Sequence, residues 1–274
     1  MDVNPLEQLA NSVPELQHSF DPQYLFQPII TGGQALFGLD SVGFTQYIFW
    51  MCVCVVLTAV VVIVGARRIT IIPTDRFANM IEYGYDSVKK NMGEGAIGKG
   101  YEKHMPLLAT MFFFILVSNF IGLIPGLKTP TGTISVTWAL ATVTFFYFNY
   151  VGIKARGGWG YIKSIAPSGL PAVMVPIIWF FELISLILRW LTLAVRLYGN
   201  MFAGHMVLGI FALATSVFLQ SMIASGNVLF GLPPIGWMLL LILMYALECL
   251  VAFLQAYVFT ILSAVYIGLA TAEH

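Results

Sequence analysis

The sequence predicts an all-α integral membrane protein of about five to six membrane helices, with an amphipathic helix on the cytoplasmic side. Three observations predict it. Apolar residues make up 59% of the 274 residues and charged residues 9%, against about 45–50% and about 25% in a soluble domain. The apolar residues are gathered into runs of spanning length. Lys and Arg are confined mainly to alternate connections, as the positive-inside rule requires. The balance of 13 basic against 13 acidic residues excludes a nucleic-acid-binding chain. The hydrophobicity excludes a disordered or collagen-like one, and a soluble protein this apolar would aggregate. The aromatic share of 14% suits a bilayer, because Trp and Tyr populate its interfaces.

Residues 1–42 contain no Lys or Arg but hold Asp2, Glu7, Glu15, Asp21 and Asp40. With no basic n-region before an early apolar run, this is not a signal peptide and is expected to stay in the mature chain. Its lack of basic residues predicts an extracytoplasmic segment. The first span is expected over about 43–64. Arg67 and Arg68 follow it and mark the cytoplasmic side. Residues 74–91 then show helical periodicity, with Phe77, Ile81, Tyr85 and Val88 on one face and Thr74 or Asp75 as cap. Such a helix either lies along the cytoplasmic membrane surface or packs on the rest of the chain. Further spans are expected over about 105–124 and 133–152. The short connection between them carries only Lys128, and Lys154, Arg156 and Lys163 return the chain to the basic side.

The last two apolar blocks are too long for upright helices. A helix over 173–219 would measure about 70 Å at 1.5 Å per residue, over twice the ~30 Å hydrocarbon thickness. The block at about 236–270 poses the same problem, and a polar, Gly/Pro-rich loop over 220–236 separates the two. Both blocks read equally as strongly tilted helices or as helical hairpins.

The ionisable residues inside these blocks carry the functional signal. They are Glu182, Arg189, Arg196, His205 and Glu248. A charge at the bilayer centre costs roughly 2.5–3.5 kcal/mol on insertion scales, so its default reading is an ion or substrate pathway. Glu182, Arg189 and Arg196 are spaced seven apart and share a slowly drifting stripe. Ser185 and Asn200 extend it. Glu248 and Gln255 share a face in the last block, and His205 lies on the side of its helix opposite Arg196. Arg189 is read either as the partner of Glu182 or as a snorkelling side chain. Asn200 and Gln255 are read either as pathway or as interhelical glue. Arg196 cannot lose its charge and has no acid at i±3 or i±4, which suggests a carboxylate on another subunit.

Other chemistry is missing. There is no zinc-protease, phosphate-loop or nucleophile-elbow motif, and His18 and His104 have no ligand-spaced neighbour. No metal or cofactor is expected. Cys52, Cys54 and Cys249 lie in apolar runs and read as small core hydrophobes. Two rival classes are an independent ion-coupled secondary transporter or channel, which would show paired broken-helix repeats, and an intramembrane enzyme, which would need a nucleophile–base pair.

The run Leu193-Ala194-Val195-Arg196-Leu197-Tyr198-Gly199-Asn200-Met201-Phe202-Ala203-Gly204-His205 resembles the signature of subunit a of the membrane sector of F-type ATP synthases. Ser118-Asn119-Phe120-Ile121-Gly122-Leu123-Ile124-Pro125-Gly126 is similar to that family's second-span ending. Leu254-Gln255-Ala256-Tyr257-Val258-Phe259 and Ala272-Glu273-His274 are similar to its last helix and tail. The resemblance covers roughly residues 43–274.

The resemblance implies two long, steeply tilted helices embracing a rotating ring of c subunits, with a subunit b stator dimer and the rest of the ATP synthase as further partners. It implies Arg196 as the essential charge facing the ring carboxylates. Asn200, His205, Glu248 and Gln255 would line an outer half-channel for protons, and Glu182 and Ser185 a cytoplasmic one. Arg189 and Asn119 would be structural or secondary; position 119 holds Asn where some members carry an acid. In some members the acid and histidine at 205 and 248 are exchanged. The resemblance further implies a chain not catalytic alone, in a bacterial cell membrane, with an outer N-terminus and a cytoplasmic C-terminus. It divides the chain into an extracytoplasmic segment (1–42), peripheral membrane helices with the amphipathic helix (43–172) and an ion-translocating hairpin facing the ring (173–274).

Overall fold

The computed structural model describes residues 12, 14, 46–68, 76–98, 100–124, 127–158, 160–161, 174–225 and 232–271. Every regular element among them is helical, the form in which a single segment satisfies all its own backbone groups in lipid. Among the described residues, five helices are long and apolar enough to cross a membrane, which places this chain among multi-pass membrane proteins.

The first of these, α1, spans Gln46–Arg68. It is followed by the short amphipathic α2, Arg76–Ser87. The helix does not stop near residue 91 but continues as a π-helical stretch over Val88–Ile97. The wider i→i+5 turn keeps Val88, Met92 and Gly93 buried on one side. There Gly268 of the last helix approaches so closely that a Cβ would collide with the Ala96 carbonyl. The inner face of α2 also differs from the periodicity estimate. Ala78 and Ile81 are buried, Ile81 against Gly65 of α1, while Tyr85 is exposed. The helix therefore packs one face on the chain. Thr74, Asp75, the side chain of Phe77 and nearly all of 1–42 lie outside the described residues.

Helix α3, Met105–Gly122, opens with Pro106 in its first turn, where the missing N–H costs nothing. A 3-10 turn, Pro130–Gly132, leads into α4, Ile134–Arg156. Gly157 ends α4 with φ 74, a left-handed value that suits glycine. Lys154 and Arg156 sit in its last turn, against the negative end of the helix dipole.

Both C-terminal blocks are single unbroken helices. Helix α5 covers Val175–Ser225, 51 residues, and α6 covers Leu232–Thr271, 40 residues. This excludes the hairpin alternative and shortens the connection expected at 220–236. The membrane-length stretches of α5 (46 residues) and α6 (37 residues) measure about 69 and 56 Å. Straight helices of that length fit a ~30 Å core only when inclined by about 60°. Gly199 does not break α5. Its cost of about 1 kcal/mol is small beside the burial of Leu193, Ala194, Leu197 and Met201 on the same helix.

The two long helices run antiparallel. Arg189 meets Tyr266, Asn200 meets Gln255, and Phe218 stacks on Trp237, so rising numbers on α5 pair with falling numbers on α6. One flank of the pair packs on α3 and α4. Leu108, Phe112 and Ile115 of α3, Phe148 of α4, Leu197 of α5 and Phe259 of α6 lie in that core. The Trp138 and Trp190 rings meet edge-on at 4.7 Å, and Trp190 Nε1 donates to Thr142 Oγ1 at 3.0 Å. The other flank leaves Val195 and Phe202 on α5, and Leu243, Leu247, Leu250 and Leu254 on α6, exposed. Of the three cysteines only Cys54 is a core residue; Cys52 and Cys249 are exposed on their helices.

Candidate functional site

The polar residues of α5 and α6 converge along the seam between the two helices. Arg196, Asn200 and Gly204 are spaced i, i+4, i+8 and so share one stripe of α5. Asn200 Nδ2 donates to Gln255 Oε1 at 3.3 Å. One turn on, the Glu248 carboxylate rests directly on Gly204, and any Cβ there would collide with it. Glu248 is 8% exposed and Gln255 5%. Gly204 is thus part of the grouping, though it carries no ionisable or polar side chain. Its signal was its place on the Arg196–Asn200 stripe.

His205 leaves α5 on another side. A Cβ on Gly122 of α3 would come within 2.9 Å of its Nε2. The ring borders a cavity of about 210 Å³ whose polar lining includes Tyr47, Lys128, Thr129 and Tyr245. That volume is enough for several waters. Burial pushes the Lys128 ammonium below the usual lysine value. The cavity ends at the connection between α3 and α4, so it opens at the end of the molecule opposite Lys154 and Arg156.

His205 Nε2, Glu248 Oε1 and Gln255 Nε2 are buried with no hydrogen-bond partner among the described residues. An unsatisfied buried polar group costs about 1–3 kcal/mol. Glu248 and Gln255 carry theirs at the seam and His205 carries its own beside the cavity, an arrangement that makes poor structural glue.

Asn119 is different. Fully buried, it donates to the Ala252 carbonyl at 3.1 Å and accepts from Thr131 Oγ1 at 2.7 Å. Thr131 and Thr129 hydroxyls lie 2.8 Å apart, and Thr129 donates to the Ser118 carbonyl. This network ties α3, the 3-10 turn and α6 together, and it leaves Asn119 little capacity for a mobile proton.

Arg196 is exposed on α5. Among the described residues it makes no hydrogen bond or ion pair. Its fixed charge therefore has no counter-charge among the described residues. Toward the start of α5, Glu182 Oε1 accepts from Arg189 Nη2 at 2.9 Å. The Arg189 guanidinium also lies 5.7 Å from the centre of the Tyr266 ring. Ser185 is half-buried one turn from Glu182. Two polar groupings therefore flank Arg196: Glu182–Arg189 toward the start of α5, and Asn200, Gln255, Glu248 and His205 beyond it.

The family described as ATP synthase A chain matches residues 48–268. The chain is similar to ATP synthase subunit a of Chlorobium phaeobacteroides, with 36% identity over 93% of this chain and 72% of the relative. It is also similar to ATP synthase subunit a 2 of Prosthecochloris aestuarii, with 37% identity over 88% and 72%. With ATP synthase subunit a of Brucella ovis it shares 38% identity over 90% of this chain and 96% of the relative. The matched stretch contains the whole α5–α6 seam, Arg196 included, and on these likenesses the chain belongs to the ATP synthase subunit a family.

Proposed function

We propose that this chain is the stator of the synthase's membrane sector and supplies two offset half-channels to the carboxylates of a rotating c ring. The single observation that carries the reading is Arg196, a permanent charge on a membrane helix, exposed, unpaired within the described chain and flanked by polar groups on both sides. On this reading, residues 173–274 form the unit that faces the ring, 43–172 its peripheral support and 1–42 an outer segment. The C-terminus is cytoplasmic, and the membrane is that of a bacterial cell. A subunit b dimer holds the chain against rotation.

A proton enters through the cavity beside His205. Imidazole suits relay work because its unperturbed pKa lies near 6.5. The line through Glu248, Gln255 and Asn200 leads toward the Arg196 face, where the proton neutralises a ring carboxylate. The neutral carboxyl can then turn through lipid without the cost of a buried charge. After nearly a full rotation a carboxyl meets Arg196, whose charge favours the ionised form. The proton leaves on the Glu182 and Ser185 side. Arg196 also repels any proton moving directly between the half-channels. Each charge crossing the membrane delivers about 2.3 kcal/mol per 100 mV. The chemistry on ATP lies in a separate soluble sector, coupled through rotation.

The test is ATP-driven proton pumping in inverted membrane vesicles carrying Arg196→Ala. Pumping should fall to background while the detached soluble ATPase keeps its activity. Normal pumping by that variant would overturn the reading.

A further inference from the structure

Glu182 is the carboxylate nearest the proposed cytoplasmic exit, yet one of its oxygens is already engaged. Arg189 Nη2 lies 2.9 Å from Oε1. The same guanidinium lies 5.7 Å from the Tyr266 ring centre, within the roughly 6 Å reach of a cation–π contact. The two partners of Arg189 sit on different elements. Glu182 is two turns earlier on α5, and Tyr266 is on α6, where Phe148 of α4 packs 5.9 Å from its ring. Among the described residues, Arg156, which closes α4, and Tyr161 just beyond it also lie near this end. Tyr161 is docked against Gly152 and donates to Asn149 Oδ1 at 2.9 Å. Burial pushes the Tyr161 phenol up, and the charges of Arg156 and Arg189 pull it back.

We infer that Tyr266 is a positioning residue of the exit, holding the Arg189 guanidinium in place each time Glu182 is protonated so that the ion pair re-forms when the proton leaves. The inference rests on the half-channel reading above. A proton from the ring carboxyl bonds to the free oxygen, Oε2, and Glu182 becomes a neutral acid. Arg189 loses its counter-charge but cannot discharge itself. The π face of Tyr266 offers it a second resting place without a long move to headgroups. When the O–H bond breaks and the proton passes to cytoplasmic water, the guanidinium is still within reach of the carboxylate. The structural alternative is that Tyr266 merely fills space between α4, α5 and α6.

The experiment compares Tyr266→Leu and Tyr266→Phe in assembled synthase, reading ATP-driven pumping by inverted vesicles against the pH of the cytoplasmic face. Tyr266→Leu removes the π face and should lower pumping about two- to fivefold at neutral pH, the range a half-exposed cation–π contact spans. It should also move the pH profile by about half a unit, which is that factor on a logarithmic scale. Tyr266→Phe keeps the ring and should restore both readouts. A Leu variant that assembles with an unmoved profile, or a Phe variant as impaired as Leu, overturns the inference. Arg196→Ala measured alongside separates the two ideas. If that variant is silent and Tyr266→Leu is normal, only the role of Tyr266 fails; if it pumps, the half-channel reading fails.

Discussion

The Glu248 carboxylate of α6 sits against Gly204 of α5 in the space a Cβ would take. The contact fixes the register of the two long helices and places a buried acid beside the Arg196–Asn200 stripe. It also sets a steric condition, because only glycine leaves that space open.

Gly204→Ala should displace the carboxylate and lower proton pumping by about tenfold, within the 1–3 kcal/mol that overpacking costs. Shortening the acid in the double variant Gly204→Ala with Glu248→Asp should recover part of the loss. Unimpaired pumping by Gly204→Ala in assembled complexes would show that the close seat has no functional weight.

His205 follows Gly204, the residue on which Glu248 rests, and His205 and Glu248 each have a buried atom lacking a partner among the described residues. Exchanging them, His205→Glu together with Glu248→His, keeps one imidazole and one carboxyl there. The exchange should therefore be milder than either replacement alone. A double-mutant cycle on pumping rates measures this, and purely additive losses would mean the two groups are not coupled.

A separate expectation concerns pH at the start of α3. His104 Nδ1 and Tyr147 hydroxyl lie 2.9 Å apart. Burial first, then the Lys103 charge, holds the His104 imidazole below its usual value. The unfolded chain therefore binds a proton at a higher pH than the folded one does. Stability from this site is complete above about pH 6.5 and falls as the pH drops from there toward the folded-state value. The melting temperature of the solubilised complex should fall more between pH 7.5 and 5.5 in wild type than in His104→Gln, which keeps a side chain able to bond Tyr147. Equal acid sensitivity in both would remove this histidine from the account.

Much of the architecture is legible in the amino-acid sequence. The spans at α1, α3 and α4 lie within a few residues of their apolar runs, because lipid demands about 20 apolar residues per crossing. Arg196 was legible for an energetic reason: no membrane helix carries an unpartnered arginine without cause. Less legible was the stretch after α2. There Tyr85 is exposed and the helix widens to a π turn, because α6 and α1 decide which side chains are buried. The seat at Gly204 was hidden for another reason, since a glycine has no side chain whose chemistry could mark it.

The sequence by itself determined the membrane class, the helices long and apolar enough to cross, and the presence of a charged residue within one of them, because hydrophobic run length and the cost of a buried charge are properties of a linear chain. Only the tertiary structure decided that both C-terminal blocks are single continuous helices. Only it decided that Asn200 meets Gln255 across 55 positions, that Glu248 rests on Gly204, and that Arg189 is shared between Glu182 and Tyr266. The physical reason is register. Periodicity tells which residues share a face of one helix, whereas the partner each one meets depends on how two antiparallel helices slide past each other, and packing sets that.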